Sequence, residues 1–71
     1  MKYETRTEED GTVVLKLGLH HEMGFDKDVD PEGIIMGVNH LISAVVDISP
    51  FDLARAVVAE FAKQDITFND G

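Results

Sequence analysis

The chain has 71 residues, no cysteine, and 14 acidic against six basic residues, which gives a formal net charge of −8. This length has room for one domain, 1–71, and a domain so small buries only about 60% of the surface that its unfolded chain exposes. Without cysteine, neither disulfides nor thiolate metal sites can supplement the core, so oligomerisation is expected. The acidic charge repels phosphate backbones and disfavours direct binding to nucleic acid.

The sequence gives no indication of export or of membrane insertion. Residues 1–5 lack the basic and then apolar pattern of a secretory signal, and the absence of cysteine fits a reducing cytosol, so we expect a cytoplasmic protein. The most apolar stretch, 33–62, contains no run of about 18 apolar residues, so we expect no membrane span. Polar or charged side chains interrupt this stretch at Asn39, His40, Asp47, Asp52, Arg55 and Glu60.

The N-terminal part predicts a β-hairpin with strands at about 2–8 and 12–21. Apolar residues alternate through the second strand, and His21 and Met23 continue the same face. A two-residue turn at Asp10-Gly11 would set charged residues of the first strand against this face. A three-residue loop, 9–11, with Gly11 in the left-handed conformation, avoids this conflict. The predicted register is Thr7 opposite Val13, Thr5 opposite Leu15, Tyr3 opposite Leu17 and Glu4 opposite Lys16.

Two helices are predicted after residues 20–29, where the second strand is expected to end and a loop to follow. The first, about 31–48, begins with Asp30 as N-cap and Pro31 at its first position; the second, about 50–64, begins in the same way with Ser49 and Pro50. Residues 65–68 alternate weakly and are compatible with a short edge strand. The predicted fold is therefore α+β, with the order ββαα(β).

The helices carry more apolar surface than one small sheet can cover. The first has a stripe at the expected three-and-four spacing: Ile34, Val38, Leu41, Ile42, Val45 and Ile48. In the second, only Arg55, Glu60, Lys63 and Gln64 are expected in solvent. We therefore predict a homodimer built through the helices, with a compact monomer as the alternative. The predicted interface residues are Ile35, Met36, Val46, Leu53, Val57, Val58 and Phe61.

The sequence contains no strong signature of a metal site or a catalytic site. The alternate acidic residues from Asp26 to Glu32 resemble a calcium loop, but Pro31 and Gly37 occupy positions that require glycine and glutamate. His20, His21, Glu22 and His40 are potential zinc ligands, but neighbouring histidines on a strand point to opposite faces. Neither Ser43 nor Ser49 lies in a strained nucleophile turn. We predict no enzyme activity, no metal and no cofactor.

Three functions remain open at this point. The first is a non-enzymatic interaction or regulatory accessory module, homodimeric through its apolar helices. The second is an acidic inhibitor that imitates nucleic acid and binds a basic groove of a partner protein. The third is a small-ligand binder at a dimer boundary near Gly33, Gly37 and His40, although close helix packing is the favoured explanation of the two glycines. The acidic partner-binding residues predicted are Glu22, Asp26, Asp28, Asp30 and Glu32.

Overall fold

The computed structural model describes residues 3–43 and 48–66. Three strands, β1 (Tyr3–Thr7), β2 (Val13–Leu17) and β3 (His21–Phe25), are followed by two helices, α1 (Pro31–Ile42) and α2 (Pro50–Ala62). The strands form one antiparallel sheet in the order β1-β2-β3. Helix α1 packs over β3, and α2 packs over β1 and β2. The α+β class, with strands followed by two helices, is confirmed.

The register of the first hairpin is the predicted one. Tyr3, Thr5 and Thr7 pair with Leu17, Leu15 and Val13, and Glu4 lies opposite Lys16. The backbone N–H of Gly11 donates to the Glu8 carbonyl at 3.0 Å, and Gly11 has a φ of 93°. Residues that carry a Cβ atom rarely adopt that backbone conformation, which explains the glycine in the loop.

The second strand is shorter than predicted, and the segment 20–29, predicted as the end of that strand followed by a loop, contains β3. The chain turns through 18–20, where Gly18 has a φ of 63°, and returns with Leu17 opposite His21, Leu15 opposite Met23 and Val13 opposite Phe25. A turn of three residues leaves the odd-numbered positions on the same face. One long strand and a hairpin therefore produce the same alternation of side chains.

The helix starts follow the prediction more closely than the helix ends. The Asp30 carboxylate accepts the backbone N–H of Gly33 at 2.8 Å, so Asp30 is the N-cap of α1. Ser49 precedes Pro50 as expected, but within the described part of the chain its side chain makes no capping hydrogen bond. Helix α1 ends at Ile42, well before the predicted residue 48. The Ser43 hydroxyl there donates to the His40 carbonyl at 2.7 Å, a local bond that competes with continued helix.

Helix α2 ends at Ala62 in a turn that returns the chain to the core. Asp65 has a φ of 61°, its N–H donates to the Ala62 carbonyl at 3.0 Å, and the Ile66 N–H donates to the Phe61 carbonyl at 3.2 Å. This is the Schellman pattern, with Ile66 packed against the core. Residues 65 and 66 of the predicted strand 65–68 belong to this turn, and 67–68 lie outside the described residues.

The core lies between the sheet and the helix pair, and the other face of the sheet is polar. There Arg6 forms ion pairs with Glu8 at 3.4 Å and with Glu22 at 3.7 Å. No helix in the described ranges is long and apolar enough to cross a membrane. The fully or largely buried apolar side chains between the layers are Val13, Leu15, Leu17, Phe25, Ile34, Val38, Leu41, Leu53, Val57 and Phe61.

Candidate functional site

The side of α1 and α2 that faces away from the sheet, called here the outer helix face, carries an apolar groove. The groove lies between the two helices and has a volume of about 390 Å³. A smaller hollow of about 170 Å³ adjoins it, lined by Ile35, Asn39, Pro50, Phe51 and Ala54. Since the fold has only two layers, no other described element covers this face. The residues that line the groove are Pro31, Ile34, Ile35, Phe51, Ala54, Arg55, Val58, Ala59 and Ala62.

Large apolar side chains are exposed on both helices. Phe51 is 75% exposed, Met36 65%, Ile35 52% and Val58 37%. Three of these four, Phe51, Ile35 and Val58, also line the groove. A cluster of exposed apolar side chains around a concave surface is typical of an interaction site, whereas isolated ones are common on any protein.

The predicted interface residues divide into three groups. Ile35, Met36 and Val58 are exposed, as an interface requires. Leu53, Val57 and Phe61 are fully buried in the chain's own core. Their placement at an interface is therefore wrong, because α2 turns this side towards β1 and β2. Val46 lies outside the described residues.

Phe51 is the residue that the sequence prediction missed. It lies at the second position of α2, two residues before the buried Leu53. Two residues correspond to about 200° around a helix, so a core-facing Leu53 places Phe51 on the opposite side. That spacing was readable from the sequence.

The outer helix face differs from the rest of the molecule in charge. Arg55 is the one charged residue among those that line the groove, and no charged residue lines the smaller hollow. Within the described residues Arg55 belongs to none of the ion pairs, which involve Arg6 and Lys63. The acidic residues in the described ranges therefore lie outside the groove and the hollow.

Most of the predicted acidic partner-binding residues gather at one end of the molecule. Because Thr7 pairs with Val13 and Val13 with Phe25, the loops 8–12 and 26–30 leave the same end of the sheet. A Cβ placed on Gly11 would lie only 3.4 Å from Lys27 Cδ, which shows how close the loops are. The exposed acidic residues of this acidic end are Glu8, Glu9, Asp10, Asp26, Asp28, Asp30 and Glu32.

Some of these carboxylates already have local partners. Asp10 accepts the backbone N–H of Thr12 at 2.9 Å, a bond that holds the pKa of its carboxyl below its ordinary value. Asp26 accepts the N–H of Asp28, and Asp30 caps α1. Glu22 is not part of the acidic end, because it lies on the open face of the sheet beside Arg6.

Glu60 is the one buried polar or charged side chain among the described residues, although the sequence predicted it in solvent. Its carboxylate accepts the hydroxyls of Thr5 at 3.0 Å and Thr7 at 2.9 Å and the Lys63 ammonium at 3.1 Å. The hydrogen bonds from Thr7 and Lys63 lower the pKa of Glu60, against the opposing effect of burial. This carboxylate joins α2 to β1, and both of its oxygens accept hydrogen bonds from within the chain.

All three histidines line one cleft between β3 and the end of α1. The cleft has a volume of about 370 Å³ and is bordered by His20, His21, His40 and Ser43, with Glu22 at its edge. Within the described residues, no group of three or more histidine or acidic side chains has the arrangement of a metal site. The Ser43 hydroxyl donates to a backbone carbonyl rather than to a histidine.

Gly33 and Gly37, which with His40 mark the ligand site predicted at a dimer boundary, both lie close to other atoms of the same chain. A Cβ on Gly37 would lie 2.6 Å from Phe25 Cε1 and 2.9 Å from Met23 Sδ, so α1 packs directly on β3 there. At Gly33 the nearest atoms are Val29 Cγ2 and the capping carboxylate of Asp30. Both glycines therefore serve close packing within the chain.

Comparisons with models of protein families, with curated proteins and with solved structures give no match. The shape, burial and charge of the described residues are thus the basis on which a function is proposed.

Proposed function

We propose that this protein is a non-enzymatic interaction module that works as a homodimer, with the outer helix faces of two copies in contact. The observation that carries the proposal is the apolar groove on that face, bordered by the exposed side chains of Phe51, Ile35 and Val58. We further propose the cytoplasm as its place of action, since a cysteine-free chain needs no oxidising compartment.

Physical arguments support a protein partner for this face. Helices of a two-layer domain bury one side on the sheet, and an apolar outer side loses free energy to water unless another chain covers it. A chain of 71 residues has a small core, so the added burial also contributes to its stability. Dimerisation then offsets the unfavourable free energy of exposing Phe51 and Ile35 to water.

A charge placed on the groove tests this proposal. Ile35→Glu puts a carboxylate where two apolar faces would meet, so we expect it to convert a dimer into a folded monomer. Leu19→Glu is the matched control, because Leu19 is 82% exposed at the turn between β2 and β3 and lines neither the groove nor the hollow. Light scattering coupled to gel filtration measures the mass, and circular dichroism verifies folding. Equal masses for both variants would contradict the proposal.

A second candidate function is supported by the acidic end. Its two loops come from separate parts of the sequence and lie side by side, as binding to a basic groove would require. Titration with a lysine-rich peptide, followed by backbone amide shifts, tests this candidate. It predicts shifts confined to residues 8–12 and 26–32 that disappear in high salt. Shifts spread over the open face of the sheet would count against it.

A further inference from the structure

We infer that Phe51 of one copy inserts into the groove of a second copy, whose own Phe51 inserts into the groove of the first. The inference rests on the proposed function, since it specifies how the two outer helix faces meet. Phe51 is 75% exposed and stands between the groove and the smaller hollow, contributing to the wall of each. One face thus presents a protruding ring directly beside a concave apolar surface.

This combination is what a two-fold dimer requires. In such a dimer the same patch of both copies meets itself, so each protruding side chain needs a recess elsewhere on its own patch. A patch with only a protruding side chain, or only a recess, is complementary to a partner of different shape. The outer helix face has both, and a second copy therefore complements it without any further structure.

The sizes agree with this arrangement. An apolar cavity of about 150 Å³ is sufficient to hold a benzene ring. The groove has a volume of about 390 Å³ and accepts a phenyl ring. Its lining includes the small side chains of Ala54, Ala59 and Ala62, which take up little of this space. Large aromatic side chains that fill a partner's pocket dominate the energetics of many interfaces, so Phe51 has the properties of an anchor.

Charge also favours a second copy over a basic partner at this face. None of the acidic residues that the structure describes lines the groove or the hollow. Two molecules of charge −8 therefore meet with least repulsion here, whereas a basic partner would find its attraction at the acidic end. Arg55 need not be buried, because its apolar stem can lie along the groove while the guanidinium stays in water.

Replacement of the anchor tests the inference in the full chain. We expect Phe51→Ser to raise the dimer dissociation constant at least tenfold in sedimentation velocity experiments, while Leu19→Ser leaves it unchanged. A dimer that tolerates Phe51→Ser overturns the inference and leaves the proposed homodimer intact. A wild-type chain that stays monomeric at all concentrations overturns both, and an apolar peptide that occupies the groove of that monomer would identify a different occupant.

A measurement on the unaltered protein provides a second test. Phe51 and Ala62 lie on the same helix, eleven residues or about 16 Å apart, too far for a proton–proton contact within one copy. In a dimer mixed from labelled and unlabelled copies, we expect isotope-filtered contacts between the Phe51 ring and the methyl groups of Ala59 and Ala62. A dimer in which the Phe51 ring shows no contact with the other copy would overturn the inference.

Discussion

Glu60 illustrates how one buried carboxylate joins two layers of this fold. Its two oxygens accept hydroxyl protons from Thr5 and Thr7 on β1, and Lys63 supplies a positive charge one helical turn away. In Glu60→Gln the amide nitrogen cannot accept, so one threonine hydroxyl is left without its acceptor. We expect the free energy of unfolding to fall by about 1–2 kcal/mol, measured by urea denaturation at one protein concentration. No change in stability would show that water replaces the lost acceptor.

The same carboxylate predicts a pH dependence. Its pKa in the folded chain is below the ordinary value of 4.5, so the unfolded chain binds this proton more readily. The stabilisation is therefore complete above pH 4.5 and is lost as the pH falls through the lower, folded-state pKa. The stability difference between wild type and Glu60→Gln should be constant from about pH 7 to 5.5 and should shrink below 4.5. A difference that grows in acid would contradict this assignment.

Asp65 occupies a conformation that favours glycine. With a φ of 61° at the end of α2, it holds the position at which helices commonly end in glycine. Asp65→Gly removes the contact between Cβ and the backbone, so we expect a gain of about 0.5–1 kcal/mol in thermal or urea unfolding. Asp65→Ala serves as the control and should not stabilise the protein, because its Cβ remains.

At the residue scale, the sequence predicts what local rules determine. The Asp30 cap and the left-handed Gly11 follow from short-range geometry and are confirmed. Glu60 was missed because its partners, Thr5 and Thr7, lie more than 50 positions away in the chain. Two threonines on the inward face of β1 need an acceptor, but the sequence alone does not tell which residue of α2 provides it.

At the scale of elements, β3 was the main departure from the sequence prediction. The odd-numbered residues from Val13 to Phe25 stay on one face whether the chain runs straight or turns through three residues. The available signal was Gly18, which fits a turn better than the middle of a strand. The end of α1 was missed for a similar reason, because the apolar stripe continues past the residue at which the helix ends.

The contact between α1 and β3 depends on Gly37. An added methyl group would lie far inside contact distance of the Phe25 ring and the Met23 sulfur. We expect Gly37→Ala to lower the free energy of unfolding by about 1–2 kcal/mol, despite the better helix propensity of alanine. His40→Ala, at an exposed position of the same helix that lines neither the groove nor the hollow, is the control and should be neutral or slightly stabilising. Equal effects of both substitutions would show that α1 can shift away from the sheet.

At the scale of the whole molecule, charge and apolar surface are segregated. The acidic end lies where the loops leave the sheet, and the outer helix face carries the groove without acidic lining. Two copies of charge −8 repel each other at long range, and salt screens this repulsion. We therefore expect the dimer to tighten as sodium chloride rises from about 10 to 150 mM. Weakening over this range would indicate association through opposite charges instead of the outer helix face.

The proposal that two outer helix faces meet is tested most directly by the mass of the wild-type protein as a function of its concentration. Sedimentation equilibrium should fit a reversible exchange between a monomer of 7.8 kDa and a dimer of twice that mass. Phe51→Ser should shift this equilibrium towards the monomer, and Leu19→Ser should follow the wild-type curve. A single species of 7.8 kDa at every concentration would contradict the account.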